Sequence, residues 1–170
     1  EDGHLSASLI HFWPGNAIRI RTRQKLPVDG WVHVVVTYDG SSRAKGLAIY
    51  LDGKREECDT VRDNLLKNIT GGGAKTLDIG QRFRDRGFKN GLVDELKVFS
   101  RRITSIEVAQ LHDGHSLADL LALKHNRLSA EQHSLLYAYY LHNFDSGFGK
   151  QRDAVAALRR QRSQAINSVM

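Results

Sequence analysis

Hydrophobic and polar residues alternate through much of the chain up to about residue 100, which is the pattern of β-strands with one buried face. Seven segments show this alternation or a β-branched run, and they cover residues 4–12, 18–21, 31–38, 47–51, 54–61, 76–79 and 92–99. Asp52-Gly53 between two of them is a strong hairpin signal, because both residue types tolerate the positive φ of a two-residue turn. Short strands separated by Gly, Asp and Ser turns predict an antiparallel two-sheet sandwich or a barrel.

The hydrophobic period changes to that of an α-helix beyond residue 100. Thr104 and Glu107 have the spacing of a capping box, in which the two side chains satisfy backbone N–H groups at the start of a helix. Ser129 and Gln132 repeat that spacing, and the helix that they open is expected to end at about His142. The predicted fold class is therefore mainly β: an antiparallel two-sheet β-sandwich followed by α-helices.

Two further helices are predicted around the second capping box. Ser116 is expected to cap a short helix at 117–123. Gly147 and Gly149 are expected to break the chain, so that the last helix runs from about 153 to 168.

The change of period divides the chain into a β-sandwich at 1–112 and a helical connector segment at 113–170. The connector is not expected to be a domain by itself, because about 55 residues is near the size at which a single core becomes marginal. Its last helix needs a surface to cover a narrow apolar stripe. A second copy of the chain or another domain of the same polypeptide is the favoured source of that surface, and exposed strands are a further site of self-association.

The composition fits a globular chain, since 41% of the residues are hydrophobic and no stretch approaches the roughly 18 apolar residues of a membrane span. The single cysteine, Cys58, excludes an internal disulfide and a cysteine metal site, and is interpreted as a small packed strand residue. The chain opens on acidic and polar residues, so no signal peptide is visible, although an excised fragment would show the same start.

The formal charge of +6 permits contact with nucleic acid or with an acidic polymer. Arg82, Arg84 and Arg86 crowd one loop, and a second basic cluster occupies 150–162. Neither cluster has the interleaved aromatic residues that stack on bases, so no nucleic-acid partner is predicted. A solvated face is the favoured interpretation of both clusters, while the three loop arginines are retained as candidate ligand-binding residues.

Four fragments in order resemble the laminin-G-like jelly roll of the concanavalin-A-like superfamily: WVHVVVTYDG at 31–40, LAIYLDG at 47–53, IG at 79–80 and GLVDELKVF at 91–99. The segment ITSIEVAQL at 103–111 is similar to the short helix that closes those domains. The resemblance covers about residues 5–112 and implies a jelly-roll sandwich. Such domains usually open with several strands before this point, so two or more strands are expected to be absent here, which would leave sheet edges uncovered.

The sequence RFRDRGF at 82–88 and the helices after it are similar to the laminin-G-like insert of large exported bacterial proteins. Those proteins also carry a cytochrome-c-like region and uncharacterised domains. The resemblance implies a non-catalytic module of a periplasmic or cell-surface multidomain protein, which binds carbohydrate or protein or spaces its neighbours. The alternative is an accessory region that packs against a catalytic or redox domain of the full-length protein. The chain has no Cys-x-x-Cys-His motif, so no haem is predicted.

The acidic residues of the predicted strands are candidate catalysts or metal ligands. Catalytic relatives in this superfamily carry a Glu-x-Asp-x-x-Glu strand, and the chain lacks that spacing, so glycoside hydrolysis is not predicted. Asp94 and Glu95 cannot replace it, because neighbours in a strand face opposite sides. Asp94 is expected either to make a structural hydrogen bond or to bind Ca²⁺, with the other oxygen donors outside this sequence.

Two tryptophans and one histidine complete the set of candidates. Trp13 precedes Pro14-Gly15 and is expected in a loop, where an exposed ring can stack on a sugar. Packing of Trp13 against the sheet is the alternative. Trp31 begins a β-branched run and is interpreted as a core residue, and His33 as a strand residue with a hydrogen-bonded ring.

Overall fold

The computed structural model describes residues 2–28, 30–69, 77–80 and 90–169. Within these ranges the strands are β1 His4–Phe12, β2 Asn16–Lys25, β3 Val34–Tyr38, β4 Leu47–Leu51, β5 Lys54–Arg55 and β6 Cys58–Asn64. The α-helices are α1 Ser105–Asp113, α2 Ser116–Ala122, α3 Ala130–Asn143 and α4 Ser146–Val169. Helical residues outnumber strand residues, so the described part of the chain is two small sheets plus four helices, not the mainly β chain that the sequence predicted.

Both sheets are antiparallel and three-stranded in the described part of the chain, with strand orders β1-β2-β6 and β3-β4-β5. Asp52 and Gly53 turn the chain between β4 and β5 with φ of 45° and 78°. Positive φ at both central residues is what a type I′ hairpin turn requires. The antiparallel pairing and the position of this hairpin tip are therefore confirmed.

The chain changes sheets directly after β5. The sequence predicts one return strand at 54–61, but β5 is two residues long and pairs with β4. β6 then pairs with β2 in the other sheet, where Arg62 lies opposite Arg19. The extended backbone was predicted correctly and its partner was not, because alternation determines which face of a strand is buried and not which sheet it joins.

The buried core lies between the two sheets. Ile18 and Ile20 of β2 belong to the same buried cluster as Leu47 and Ile49 of β4. Burying an aliphatic side chain of this size stabilises the fold by about 1.5–3 kcal/mol relative to leaving it exposed. The alternation of β2 thus sends its isoleucines inward and its arginines to the opposite face of the sheet.

Helix α1 covers the outer face of the second sheet. Ala48 and Tyr50 of β4 point away from the core between the sheets and pack against Ile103 and Val108. The packed layers are therefore first sheet, second sheet and helix α1. This arrangement explains why Val108, on a helix, is as buried as the core isoleucines.

Both predicted capping boxes are confirmed. The backbone N–H of Thr104 donates to Glu107 Oε2 at 2.7 Å, and Arg101 donates to the other carboxylate oxygen at 2.6 Å. At the start of α3, Ser129 Oγ accepts from the backbone N–H of Gln132 at 3.2 Å. Hydrogen bonding to Arg101 and Thr104 outweighs burial and lowers the pKa of Glu107.

Helix α2 has a different cap from the predicted one. The Oδ1 atom of Asp113 accepts from the backbone N–H groups of His115 and Ser116, each at 2.9 Å. Ser116 is the first helical residue and not the cap. The Ser116 hydroxyl also donates to the Asp113 carboxylate. This hydrogen bond, followed by those from the two backbone N–H groups, holds the pKa of Asp113 well below its usual range.

Helix α4 starts earlier than predicted. It begins at Ser146 and continues through Gly147 and Gly149, which were expected to break the chain. Asp145 is the reason, because its Oδ1 accepts from the backbone N–H of Phe148 at 2.6 Å and satisfies an N-terminal donor of the helix. The capping bond offsets the low helix propensity of the two glycines.

Two predicted strands are wrong where the structure describes them. Residues 91–99 form no strand, and Leu92 and Val98 are 77% and 82% exposed. Leu77 and Ile79 are also exposed and outside any strand. A strand needs a neighbour for its backbone hydrogen bonds, and no described strand pairs with either segment.

Two interpretations of single residues near β3 also fail. Trp31 lies before the strand and is 68% exposed, so it is not a core residue. The ring of His33 is not satisfied either, because its Nδ1 is buried without a hydrogen-bond partner among the described residues. Burial, and then the nearby His112, lower the pKa of His33.

The helices after α1 expose most of their surface. No residue of α2, α3 or α4 within the described ranges is buried. Helix α4 contacts the segment that follows β3 through Arg159, whose guanidinium donates to the Asp39 carbonyl at 2.9 Å. None of the helices described is long and apolar enough to span a membrane.

Candidate ligand-binding site

Trp13 lies in the turn that joins β1 to β2. Trp13 is 41% exposed, and the Arg19 guanidinium carbon lies 4.2 Å from the centroid of its ring. Arg19 is also held in place by a hydrogen bond, because its Nε donates to Ser8 Oγ at 2.8 Å. The turn therefore presents a partly exposed indole whose position is fixed by a cation–π contact.

The turn is tied to the segment that follows β6. Asn64 Nδ2 donates to the Gly15 carbonyl at 2.6 Å. Asn16 Oδ1 accepts from the backbone N–H groups of Leu66 and Lys67, at 2.9 and 3.1 Å. These three bonds bring residues about fifty positions apart in the sequence together, and they make the surface around Trp13 a preformed one.

The outer face of the first sheet continues from Trp13 as a row of arginines. Because successive side chains alternate across a strand, Arg19, Arg21 and Arg23 of β2 share the face opposite the buried isoleucines. The pairing register adds cross-strand neighbours, with Ser8 and Arg62 on either side of Arg19 and with Ser6 and Asp59 on either side of Arg21. We call this surface, formed by Ser6, Ser8, Arg19, Arg21, Arg23 and Arg62, the arginine face.

Charge on the arginine face is only partly balanced. Arg23 pairs with Asp59 at 2.8 Å and with Glu57 at 3.1 Å, and the hydrogen bond to Asp59 is the main cause of its raised pKa. Arg19 and Arg21 form no ion pair with any residue that the structure describes. Sequence reasoning missed this surface, although the Ile-Arg alternation of β2 was a visible signal of it.

Three of the predicted ligand-binding residues, Arg82, Arg84 and Arg86, lie outside the described residues. Their role as ligand-binding residues stays a prediction. Trp13 is the predicted ligand-binding residue whose surroundings the structure describes.

Asp94, the predicted metal ligand, is exposed in the segment that forms no strand. Its Oδ1 accepts from the backbone N–H of Glu95 at 2.7 Å, and Glu95 pairs with Lys97 at 2.7 Å. The described residues contain no group of three or more His, Cys, Asp or Glu side chains that could hold a metal. Calcium takes six to eight oxygens, so the described surroundings of Asp94 do not by themselves fit it, and its binding stays an untested prediction.

Cys58 packs against the cluster between the sheets, as the sequence predicted. Burial, more than any neighbouring charge, raises the pKa of its thiol. A thiol that resists ionisation is a poor nucleophile, which fits a packing role.

Comparison with known proteins gives a family and one solved structure. The model of the family Laminin_G_3, described as the concanavalin A-like lectin/glucanases superfamily, matches residues 2–109. The crystal structure of part of an S-layer domain-containing protein from Clostridium thermocellum is similar with 16% identity and a TM-score of 0.41. The similarity covers 65% of this chain and 64% of that one, so the chain spans less than two thirds of its length. No curated protein matches the chain.

Proposed function

The chain belongs to the concanavalin A-like lectin/glucanases superfamily, and from this premise we propose that it is a non-catalytic module that binds carbohydrate through the surface around Trp13. The observation that carries the proposal is the half-exposed indole on a turn that hydrogen bonds fix in place. Sugar rings stack on tryptophan because their C–H faces are apolar while their edges are polar. A preformed surface of this kind binds with a smaller ordering cost than a flexible one.

The neighbours of Trp13 supply the polar contacts that such binding needs. Arg19 lies against the ring, and Ser8 lies beside it on the arginine face. Guanidinium and hydroxyl groups donate hydrogen bonds to sugar oxygens, and the hydroxyl also accepts them. One apolar surface with a few converging polar groups is typical of ligand sites in proteins.

The proposed module is non-catalytic, as the sequence predicts. Hydrolysis of a glycosidic bond needs two carboxyl groups on opposite sides of the bond. Asp94 and Glu95 do not offer such a pair, because the Glu95 carboxylate is bound to Lys97, and the chain lacks the Glu-x-Asp-x-x-Glu spacing of catalytic relatives. We therefore expect the chain to release no reducing sugar from any polysaccharide that it binds.

A glycan array followed by isothermal titration of the whole chain tests the proposal. We expect saturable binding of at least one polysaccharide, which Trp13→Ala weakens about tenfold or more, as loss of one stacked ring would. Trp31→Ala is the matched control, because Trp31 is more exposed than Trp13 and lies outside the site. Absence of binding on the array, or equal loss in the two variants, contradicts the proposal.

A second candidate function is that of an accessory region that packs against another domain. It is favoured by the apolar strand β3, which is an edge strand among the strands that the structure describes and exposes Val34 and Val36, and by the exposed apolar residues of 91–99. Edge strands of this kind pair readily with other chains. Sedimentation at increasing concentration tests it: self-association that Val36→Lys abolishes supports it. Val28→Lys, outside any strand, is the control.

Location in the periplasm or at the cell surface is a proposal that rests on the resemblance of residues 82–88 to an insert of exported proteins. The division into a sandwich at 1–112 and a connector at 113–170 is likewise proposed. The exposure of α2, α3 and α4 supports it, because helices with no buried residue do not build a core of their own.

A further inference from the structure

The arginine face is unusual in the regularity of its charge. Along β2 the arginines recur at every second position, and β6 adds Arg62 directly beside Arg19. The spacing along a strand places Arg19 and Arg21 about 7 Å apart at their Cα atoms, since each residue advances the chain by about 3.4 Å. The sheet thus holds several guanidinium groups at fixed intervals on one side.

Few acidic groups on this surface compensate the charge. Asp59 lies opposite Arg21 in the register, but its carboxylate is bound by Arg23. Glu57 is also bound by Arg23. Arg21 is therefore left, within the described part of the chain, without an ion-pair partner although an acid stands opposite it.

Arg62 adds a further, half-buried guanidinium group to this surface, directly beside Arg19. Its side chain is half-buried, and its Nε is inaccessible to solvent without a hydrogen-bond partner in the described structure. A buried donor that lacks a partner costs free energy. An acceptor on this face would meet the terminal guanidinium nitrogens of Arg62 and of its neighbour Arg19, and not the inaccessible Nε of Arg62.

We propose that the arginine face binds an acidic polysaccharide, with sugar carboxylates at Arg21 and Arg62 and a sugar ring on Trp13. This inference rests on the proposed carbohydrate-binding function and names its ligand class. The planar guanidinium group binds a carboxylate through two parallel hydrogen bonds, which an ammonium group does not do. The serine hydroxyls between the arginines can bond to neutral sugar oxygens in the same chain.

The geometry favours an acidic glycan over a nucleic acid. Single-stranded nucleic acids are bound by successive aromatic rings that stack on the bases, interleaved with basic groups. On the arginine face the aromatic Trp13 lies at one end, and serines occupy the β1 positions beside Arg19 and Arg21. The described surface therefore offers charge and hydroxyl groups at the places where a base-stacking surface would offer rings.

Isothermal titration of the whole chain with polygalacturonate and with neutral dextran tests the inference. We expect polygalacturonate to bind at least about tenfold more tightly, and its affinity to fall as NaCl is raised, because the contact is ionic. Arg21→Gln is expected to weaken polygalacturonate binding about tenfold, since a hydrogen-bonded ion pair is lost. Arg21 makes no described ion pair in the free protein, so its loss is not expected to disturb the fold, and a thermal melt checks this.

Arg127→Gln is the control for net charge, because Arg127 is exposed in the helical region far from β2 in sequence. Equal weakening by Arg127→Gln and Arg21→Gln would show diffuse attraction and overturn the inference. Dextran binding as tight as polygalacturonate binding would overturn it while leaving the carbohydrate function intact. Tighter binding of an oligo(dT) strand than of polygalacturonate would overturn it in favour of nucleic acid. Absence of binding to every glycan would refute the carbohydrate function itself.

Discussion

The sheets at 4–64 and the helices at 105–169 are built by different means. The sheets share a core in which Ile18 and Ile49 are almost completely buried. Among the described helical residues, only the N-terminal helix α1 contributes buried side chains, Ile106 and Val108. The first region is held by contacts between distant residues, and most of the second by bonds within each helix.

A region of this protein can therefore have regular secondary structure without a buried core that stabilises it. A helix satisfies its backbone hydrogen bonds internally, so capping residues such as Asp145 define α4 although it buries nothing. A strand depends on its neighbours, and residues 91–99 have the alternation of a strand without a described partner. The helices should therefore tolerate changes that the sheets do not.

The largest expected effect is a core truncation in the sheets. Ile18→Ala removes a side chain with no exposed surface and is expected to lower the free energy of unfolding by about 2–5 kcal/mol. Leu158→Ala in α4 removes a side chain that is 64% exposed and is expected to change it by less than about 0.5 kcal/mol. Urea denaturation of both variants measures the contrast, and comparable losses would remove the distinction between the regions.

Hydrogen exchange followed residue by residue gives a second test of the comparison. Amides of β2, which is paired on both sides, are expected to exchange only on global unfolding. Amides at 153–168 are expected to exchange much faster in a dilute monomer, because α4 can open without exposing a core. Protection of α4 equal to that of β2 would show that the helix is satisfied within its own chain, against the proposed connector.

Alanine substitutions at Gly53 and Gly114 test how closely α1 packs against the hairpin tip at Asp52 and Gly53. A Cβ at Gly53 would lie 3.3 Å from Ala109 Cα and 3.4 Å from the His112 side chain, whereas one at Gly114 would meet nothing within 4 Å. Both glycines have positive φ, so alanine strains the backbone equally at either position, by roughly 1 kcal/mol. Gly53→Ala is expected to destabilise the protein more, as measured by thermal melts. Equal losses of thermal stability in the two variants would mean that α1 shifts to accommodate the added methyl group at no cost.

The smallest expected effect is a dependence of stability on pH. Burial lowers the pKa of His33 and of His142, so the folded protein disfavours their charged forms. As the pH is lowered through the ordinary histidine pKa of about 6.5, the unfolded chain binds more protons than the folded protein does. The free energy of unfolding should therefore fall as the pH is lowered from 7.5 to 5.5. The hydrogen bond from His115 to Asp119 raises the pKa of His115 and acts oppositely, with stability that is present at low pH and lost at high pH.

His33→Gln removes the contribution of the partly buried His33 to the pH dependence of the free energy of unfolding. The loss of stability between pH 7.5 and 5.5 should become smaller in this variant but should not vanish, because His142 remains. His115→Gln, at an exposed site, should make the loss slightly larger. A pH dependence unchanged by His33→Gln would mean that the packing of His33 near His112 has no role in it.

Features that depend on neighbouring residues were predictable from the sequence, whereas those that depend on partners were not. The capping box of Thr104 and the turn of Asp52 and Gly53 need a few consecutive residues, and both are confirmed. The exposure of Trp31 and the absence of a strand at 91–99 depend on which strands pair. The hydrophobic pattern predicts which face of a strand is buried, but it does not predict which strands pair with it.

The same limit applies to the candidate site. Trp13 was identified from its place before a Pro-Gly turn, and the structure adds the stacked Arg19 and the bonds that fix the turn. The arginine face required the register that sets Arg62 beside Arg19. The ligand-binding role of Arg82, Arg84 and Arg86 remains a prediction.

The carbohydrate-binding claim is tested most directly by the fluorescence of Trp13 itself. The chain has two tryptophans, so Trp31→Phe leaves Trp13 as the only indole reporter. Titration of this variant with polygalacturonate, and separately with dextran, is expected to change the emission of Trp13 saturably for at least one of them, because a sugar stacked on the ring displaces water from it. The midpoint should match that of calorimetry. Emission that stays constant while calorimetry shows saturable binding would place the ligand elsewhere and contradict the account.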